Sequence, residues 1–270
     1  MTITFFIINF KADRLVRELI DSIKLSKRDF KINVDVHIID NSLKNQEELR
    51  KFKKECNEED VFIHANPKNV GYFGAIPKAQ QILKNSNSNC VVYCNPDLKL
   101  DSGFFKELLN TINSDGIIAP AIISLGEGVD QNPKYVNRLS FSKLRRLKFI
   151  YSNHVYYTLF FLLARLKEIT INRIFNKEIK LGNQIIYAPH GSMIIFNNIS
   201  FFTELKPYPC FLFGEEIFIA EEAKIKNIRI FYKPEIKVFD VRHASINLLS
   251  AKHRREMYLE SINYILKEYY

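Results

Sequence analysis

The feature that most constrains this chain is the rhythm of its first 125 residues, in which short apolar runs alternate with helix-like stretches. Ile3 to Asn9 is a continuous apolar run that stops at a polar residue, as a central parallel strand does. Leu15, Leu19 and Ile23 then mark one face of a helix, with Asp13 as its expected cap. Val34–Ile39 reads as a second strand followed by a polar helix over Gln46–Glu55, and Val61–His64 as a third followed by a helix over Ile76–Lys84. Cys90–Cys94 is a fourth strand. Asp101 or Ser102 is expected to cap the next helix, whose apolar face holds Phe104, Phe105, Leu108, Leu109 and Ile112, and Ile117–Ile123 resumes strand character. Strand and helix alternating in this way predict the α/β class: a single doubly wound, mostly parallel sheet flanked by helices.

The rhythm breaks over residues 126–182. Lys143, Arg145, Arg146 and Lys148 lead into an aromatic and aliphatic stretch from Phe149 to Leu163, and Arg165, Lys167, Arg173 and Lys177 follow. This basic, aromatic segment reads as a helical insertion. It suits a helix lying in a membrane interface, and equally a core-packing helix whose cations are solvated. Beyond it, Gln184–Tyr187 and Ser192–Phe196 read as strands around the turn Pro189-His190-Gly191. Glu215–Lys226 reads as a helix, Arg229–Tyr232 and Lys237–Val241 as strands, and a terminal helix ends in Tyr269-Tyr270. A chain of 270 residues with 47% hydrophobic content can bury one substantial core, so 1–270 is expected to be a single domain.

A formal charge of +9 points to an acidic partner: phosphate groups, nucleic acid or an anionic membrane surface. Thr2–Phe10 is apolar but lacks the basic leader of a signal peptide, and Val155–Ala164 falls well short of the ~20 residues needed to span a bilayer. The expectation is a cytoplasmic or peripheral protein. The four cysteines include no Cys-x-x-Cys pair, and Cys90 and Cys94 on one strand would lie about 13 Å apart, beyond disulfide reach. Free thiols are expected.

Four short segments carry candidate chemistry. Asn95-Pro96-Asp97 delivers a carboxylate past the end of the fourth strand, into the crevice where open α/β sheets bind ligands, although the tripeptide is also ordinary turn chemistry. Asp40 ends the second strand, where it can accept a hydrogen bond from N3–H of a pyrimidine base; the alternative is an Asx-turn made by Asp40 or Asn41. Asn69-Val70-Gly71-Tyr72-Phe73-Gly74 is a glycine-containing turn entering a helix. Glu215 and Glu216 open a helix after Phe211-Leu212-Phe213-Gly214; a helix N-terminus keeps a base ionised, though acids are common there for dipole reasons alone. A dinucleotide fingerprint is excluded, because Asn9-Phe10-Lys11-Ala12 stands where its glycines would follow the first strand.

Taken in order, Asn9-Phe10, Ile39-Asp40-Asn41-Ser42, Asn66-Pro67, Asn69 to Tyr72, Asn95-Pro96-Asp97, His190-Gly191-Ser192-Met193, Phe211 to Glu216, Arg242-His243-Ala244-Ser245 and Tyr258-x-x-Ser261-x-x-Tyr264 resemble the inverting family-2 glycosyltransferases of GT-A fold, in particular their bacterial rhamnosyltransferase-like branch. The resemblance spans nearly all of the chain outside the insertion. It implies that residues 1–125 form a nucleotide-sugar-binding half and 183–270 an acceptor-binding and catalytic half. It implies donor contacts from Asn9, Asp40, Asn69, Gly71, Asn95, Asp97 and Arg242, acceptor contacts from His190 and Gly191, and Mg²⁺ or Mn²⁺ held by Asp97 with His243 nearby. Glu216 aligns with the family's catalytic base, with Glu215 as the alternative. Three departures are plain: Asn95 replaces the first acid of the usual Asp-x-Asp pair, Ala75-Ile76-Pro77 replaces a Gly-Gly-Asn ending, and Phe218 stands where many relatives carry another acid.

The expected function is therefore transfer of a sugar from a UDP- or dTDP-sugar to a hydroxyl of a glycan acceptor, on a polyprenyl diphosphate, in bacterial surface polysaccharide synthesis. The expected location is the inner face of the plasma membrane, contacted through the insertion. A catalytically silent sugar-nucleotide binder is the alternative. A nucleic-acid-binding module is a further one that the basic charge allows, but no recognition motif supports it.

Overall fold

The computed structural model describes residues 1–56, 59–112, 115–163, 182–241 and 250–270. The strands among them are β1 (Thr2–Asn9), β2 (Asn33–Asp40), β3 (Val61–Ala65), β4 (Cys90–Cys94), β5 (Leu98–Leu100), β6 (Ile117–Ser124), β7 (Gln184–Ile186), β8 (Met193–Phe196) and β9 (Ile230–Asp240). They form one sheet in the order β3-β2-β1-β4-β8-β6-β9-β5, with β7 also paired to β9. The long pairings, β1 with β2 and β6 with β9, are parallel, as are those of β1 with β4 and β2 with β3. The antiparallel ones are short: β8 against β4 and β6, and β5 and β7 against β9. The mostly parallel α/β sheet expected from the sequence is present.

Both faces of the sheet are covered, which is why its central strands are apolar throughout rather than alternating. Along β1, Phe5 and Ile7 join Val92, Ile195, Leu19, Phe104 and Leu108 in one core, while Phe6 and Ile8 join Tyr93, Phe196, Ile76, Phe202 and Phe218 in the other. The first core is covered by α1 (Asp13–Lys27), α2 (Gln46–Glu55) and α4 (Phe104–Thr111). The second is covered by α3 (Ile76–Leu83), α5 (Phe141–Ser152) and the later helices Ile199–Thr203, Glu215–Ile225 and Ala251–Tyr269. Local signals fix several starts. Asn45 and Glu48 form a reciprocal capping box at α2, and Ser140 and Ser250 cap α5 and the terminal helix by accepting from Lys143 N and His253 N.

Several local expectations are corrected. Asp13 does not cap α1: Ala12 holds the cap position without a side-chain bond, and Asp13 instead accepts from Asn9 Nδ2 at 2.8 Å. Gly103 precedes α4, with Asp101 Oδ2 accepting from its N–H at 2.9 Å. The two strands expected over 229–241 are one, β9, whose register against β6 shifts after Pro120. All four cysteines are free and buried, as expected.

The topology gathers one edge. β1, β2 and β4 run parallel, so Asn9, Asp40 and the turn after Cys94 emerge together. β8 runs antiparallel to β4 and starts opposite Cys94, which brings the His190-Gly191-Ser192 segment to the same edge; Asn95 N donates to Ser192 O at 2.9 Å. β9 also ends there, with Asp240 opposite Leu98 and Val241 N donating to Asp97 O at 3.0 Å.

Candidate functional site

At the β2 end of this edge, Asp40 is almost fully buried. Its Oδ1 accepts from Asn9 Nδ2 at 2.7 Å, Ser42 Oγ at 2.7 Å and Lys44 Nζ at 2.8 Å, while among the described residues Oδ2 has no hydrogen-bond partner. Lys44 also reaches Asp13 at 2.9 Å and lies over the Phe52 ring at 4.8 Å, with only 9% of its side chain exposed. A buried carboxylate with one oxygen saturated and the other unpartnered is costly to leave as it is, and a ligand N–H or O–H would meet the deficit. Among the described residues Asp40 makes no Asx-turn contact; its side-chain partners there are the side chains of Asn9, Ser42 and Lys44. Asn9 orients it.

Asn41 ties this end to the next loop. Its Nδ2 donates to Gly71 O at 3.1 Å, and its Oδ1 accepts from Asn66 Nδ2 at 2.8 Å. Asn69 Oδ1 accepts from Gly71 N at 3.0 Å, so Asn69 shapes the turn. Gly71 has φ +79°, and a Cβ there would sit 2.2 Å from Phe211 O. Only glycine meets both demands. The turn can therefore lie directly against the Phe211–Gly214 loop, which leads into the helix Glu215–Ile225.

That loop is braced from behind. Gly214 (φ +79°) leaves room for Ser261, whose Oγ lies 2.9 Å from Tyr208 Oη; the Tyr208 hydroxyl donates to Phe213 O at 2.6 Å. The Phe213 ring stacks on Tyr258 at 3.8 Å. The spaced Tyr258, Ser261 and Tyr264 thus hold the loop, Tyr264 meeting the Tyr208 ring edge-on at 5.6 Å.

Glu215 and Glu216 are split by their surroundings. Burial and the adjacent Glu216 push the Glu215 carboxyl well above the usual carboxylate range, against the backbone N–H groups of Glu215 and Phe213. Burial acts on Glu216 in the same sense but is outweighed. Lys134, whose Nζ lies 3.7 Å from Glu216 Oε1, with His190 and the helix N–H, holds Glu216 below its ordinary value. Glu216 in turn is the largest influence raising Lys134. Gly191 lies against Glu216, since a Cβ on it would be 3.7 Å from Oε1. Asn132 supports this wall, its Oδ1 accepting from His190 N at 2.6 Å.

Tyr72 joins the acids of the two halves. Its hydroxyl is pushed far up by burial and by Tyr93, Cys94, Glu215 and Asp97 around it. Asp97 and Glu215 thus act on one buried phenol from two separate segments. Two strand spacings separate Asp40 from the β4 turn, about 10 Å. The structure therefore gathers Asn9, Asp40, Gly71, Asn95, Asp97, His190, Gly191, Glu215 and Glu216 at one edge. Asn69 serves the turn, and Arg242 and His243 lie outside the described residues. Lys44 and Lys134 are the functional candidates that sequence reasoning missed.

No cluster of three or more His, Cys, Asp or Glu side chains that could hold a metal ion occurs among the described residues. Asp97, with Asn95 beside it in place of a second acid, is a donor set that fits a hard divalent cation taking its remaining oxygens from phosphates.

Comparison with known proteins agrees with this fold. In fold, the chain is similar to the crystal structure of GalNAc-T7 with UDP, GalNAc and Mn²⁺ (15% identity, TM-score 0.55, covering 91% of this chain and 44% of that one). It is also similar to the mannosyltransferase PcManGT from Pyrobaculum calidifontis in complex with GDP-Man and Mn²⁺ (11% identity, TM-score 0.53, covering 98% and 70%). The chain thus spans less than half the length of the first of these proteins. No curated protein matches its sequence. The sequence model described as "Glycosyl transferase family 2" matches residues 4–169, more than half of the chain. On that match, the chain belongs to glycosyl transferase family 2.

Proposed function

We propose that the protein is an inverting glycosyltransferase that moves a sugar from a UDP- or dTDP-sugar to a hydroxyl of a lipid-linked glycan in surface polysaccharide synthesis, in the rhamnosyltransferase-like branch. In this reading residues 1–125 hold the donor and 183–270 the acceptor, and the enzyme works on the cytoplasmic face of the membrane. The observation that carries it is the opposite bias of two adjacent glutamates: Glu216 kept anionic by Lys134 beside the His190-Gly191 wall, Glu215 kept protonated by burial.

Each role follows from placement. Asp40 Oδ2 accepts from N3–H of the pyrimidine, and Asn9 fixes the rotamer that presents it. Asn95 and Asp97 face the diphosphate, with Arg242 as countercharge and Gly71 allowing close approach of the backbone. Glu216 takes the acceptor hydroxyl's proton on the face opposite the leaving group, which inverts the sugar carbon. A bound Mg²⁺ or Mn²⁺, held by Asp97 with His243 and the donor phosphates, would stabilise the charge that gathers on the leaving diphosphate. The Mn²⁺ and nucleotides named for the two structural neighbours support a metal-assisted nucleotide-sugar reading. They carry different nucleotides, so a test must compare several.

The test is thermal stabilisation by UDP, dTDP and GDP with and without Mn²⁺, followed by donor hydrolysis or transfer. A Mn²⁺-dependent shift with a pyrimidine nucleotide and turnover of its sugar are expected. No shift with any nucleotide contradicts the proposal, and binding without turnover makes the protein a silent binder.

A further inference from the structure

The described part of the insertion, residues 126–163, is firmly seated on one side and exposed on the other. Arg138 makes two bonds to Glu221, from Nε at 2.7 Å and Nη2 at 3.0 Å, and Arg255 Nη1 donates to Tyr151 O at 2.8 Å. Leu144, Tyr151 and Tyr157 are buried. The opposite side is apolar and exposed. In the helical residues 154–163, Val155, Tyr156, Leu159, Leu162 and Leu163 recur at helical spacing on a face opposite Tyr157, and all are exposed, Leu159 by 52%. Phe149 on α5, also exposed, stacks on Tyr156 at 5.1 Å and extends the patch onto that helix.

The charge carried by this segment itself has one sign. Residues 141–163 hold Lys143, Arg145, Arg146 and Lys148 and no acid, and all four cations are exposed. None of the described helices is long and apolar enough to cross a membrane. An exposed apolar stripe beside a cluster of cations, too short to span, is the composition of a segment that lies in the interface of an anionic bilayer.

We infer that residues 141–163 form a docking surface for an anionic lipid bilayer, with Val155, Leu159 and Leu162 entering the headgroup boundary and Arg145, Arg146 and Lys148 meeting lipid phosphates. The surface is coupled to the glutamates through stacked rings: Tyr151 lies 5.1 Å from Tyr258, and Tyr258 lies 3.8 Å from Phe213, two residues before Glu215. Docking therefore sets the acceptor wall at a fixed height above the lipid. That use, presenting a lipid-linked acceptor to Glu216, rests on the glycosyltransferase reading; the docking itself does not.

The test is co-sedimentation of the full chain with vesicles of phosphatidylcholine alone or mixed with phosphatidylglycerol, without donor. Binding to the mixed vesicles, weakened by salt, is expected. Leu159→Ser/Leu162→Ser and, separately, Arg145→Glu/Arg146→Glu should each lower it by about tenfold or more, while the nucleotide-induced thermal shift stays at the wild-type value. Failure of wild type to bind mixed vesicles overturns the inference, as does unchanged binding by both variants. A wild-type dimer that Leu159→Ser/Leu162→Ser splits, without vesicle binding, overturns it in favour of a second copy of the chain. Loss of the nucleotide shift in wild type would instead count against the glycosyltransferase reading and leave the vesicle result standing.

Discussion

Lys134 Nζ stands 3.7 Å from Glu216 Oε1, although the lysine belongs to the segment before α5 and the glutamate to the helix after Gly214. The pair decides which of two neighbouring acids is ionised. Glu216 sits below its ordinary pKa because Lys134, His190 and its own backbone N–H overcome its burial. In its proposed role as base, Glu216 works above its own pKa, and removing the lysine raises that pKa. Lys134→Met should move the acid limb of the pH–rate profile to higher pH and restore part of the lost rate in alkaline buffer. An initial-rate profile of both proteins checks this; a uniform loss at every pH would assign Lys134 to binding instead.

Glu215 predicts a pH dependence of stability with the opposite sign. Its folded-state pKa lies above the unfolded value, so the folded chain binds an extra proton between the two. The contribution to stability is full below the unfolded pKa, about 4.3, and is lost as pH rises through the folded one. Thermal unfolding from pH 5 to 9 should show wild type losing more stability than Glu215→Gln. Parallel curves would mean that Glu215 does not hold this proton.

Lys44→Met leaves Asp40, Asp13 and no described cation between them, with the Asp40 side chain fully buried. Breaking a buried pair on one side costs about 3–5 kcal/mol. Asp40→Asn in the same chain should recover much of that cost while abolishing pyrimidine binding, as urea denaturation and nucleotide titration would show.

Gly71→Ala places a Cβ 2.2 Å from Phe211 O at a left-handed φ. The expected loss exceeds about 1 kcal/mol, accompanied by weaker nucleotide binding, because the turn can no longer bridge Asn41 and the Phe211 loop. A denaturation midpoint equal to wild type would show that the two loops are not in contact.

What the sequence makes legible here follows the periodicity. Asn9, Asp40 and Asp97 follow continuous apolar runs, so their place at one sheet edge can be read directly from strand endings. Glu215 and Glu216 are legible from Gly214 and the helix behind it. Lys44 and Lys134 are not, because each is a single lysine in a loop whose path depends on tertiary contacts: Lys44 on the burial of Asp40, Lys134 on Asn132 holding the His190 segment. The insertion is legible only in halves. Its composition fits both a packed helix and an interfacial one, and the structure shows a seated side, Leu144, Tyr151 and Tyr157, beneath an exposed apolar one.

The most direct measurement pairs Asp97→Ala with Glu216→Gln and follows Mn²⁺-dependent nucleotide stabilisation and sugar transfer in each. Asp97→Ala should lose the Mn²⁺-dependent stabilisation. Glu216→Gln should retain it while transfer falls by about 10²-fold or more. A Glu216→Gln protein that transfers sugar at the wild-type rate would contradict the account.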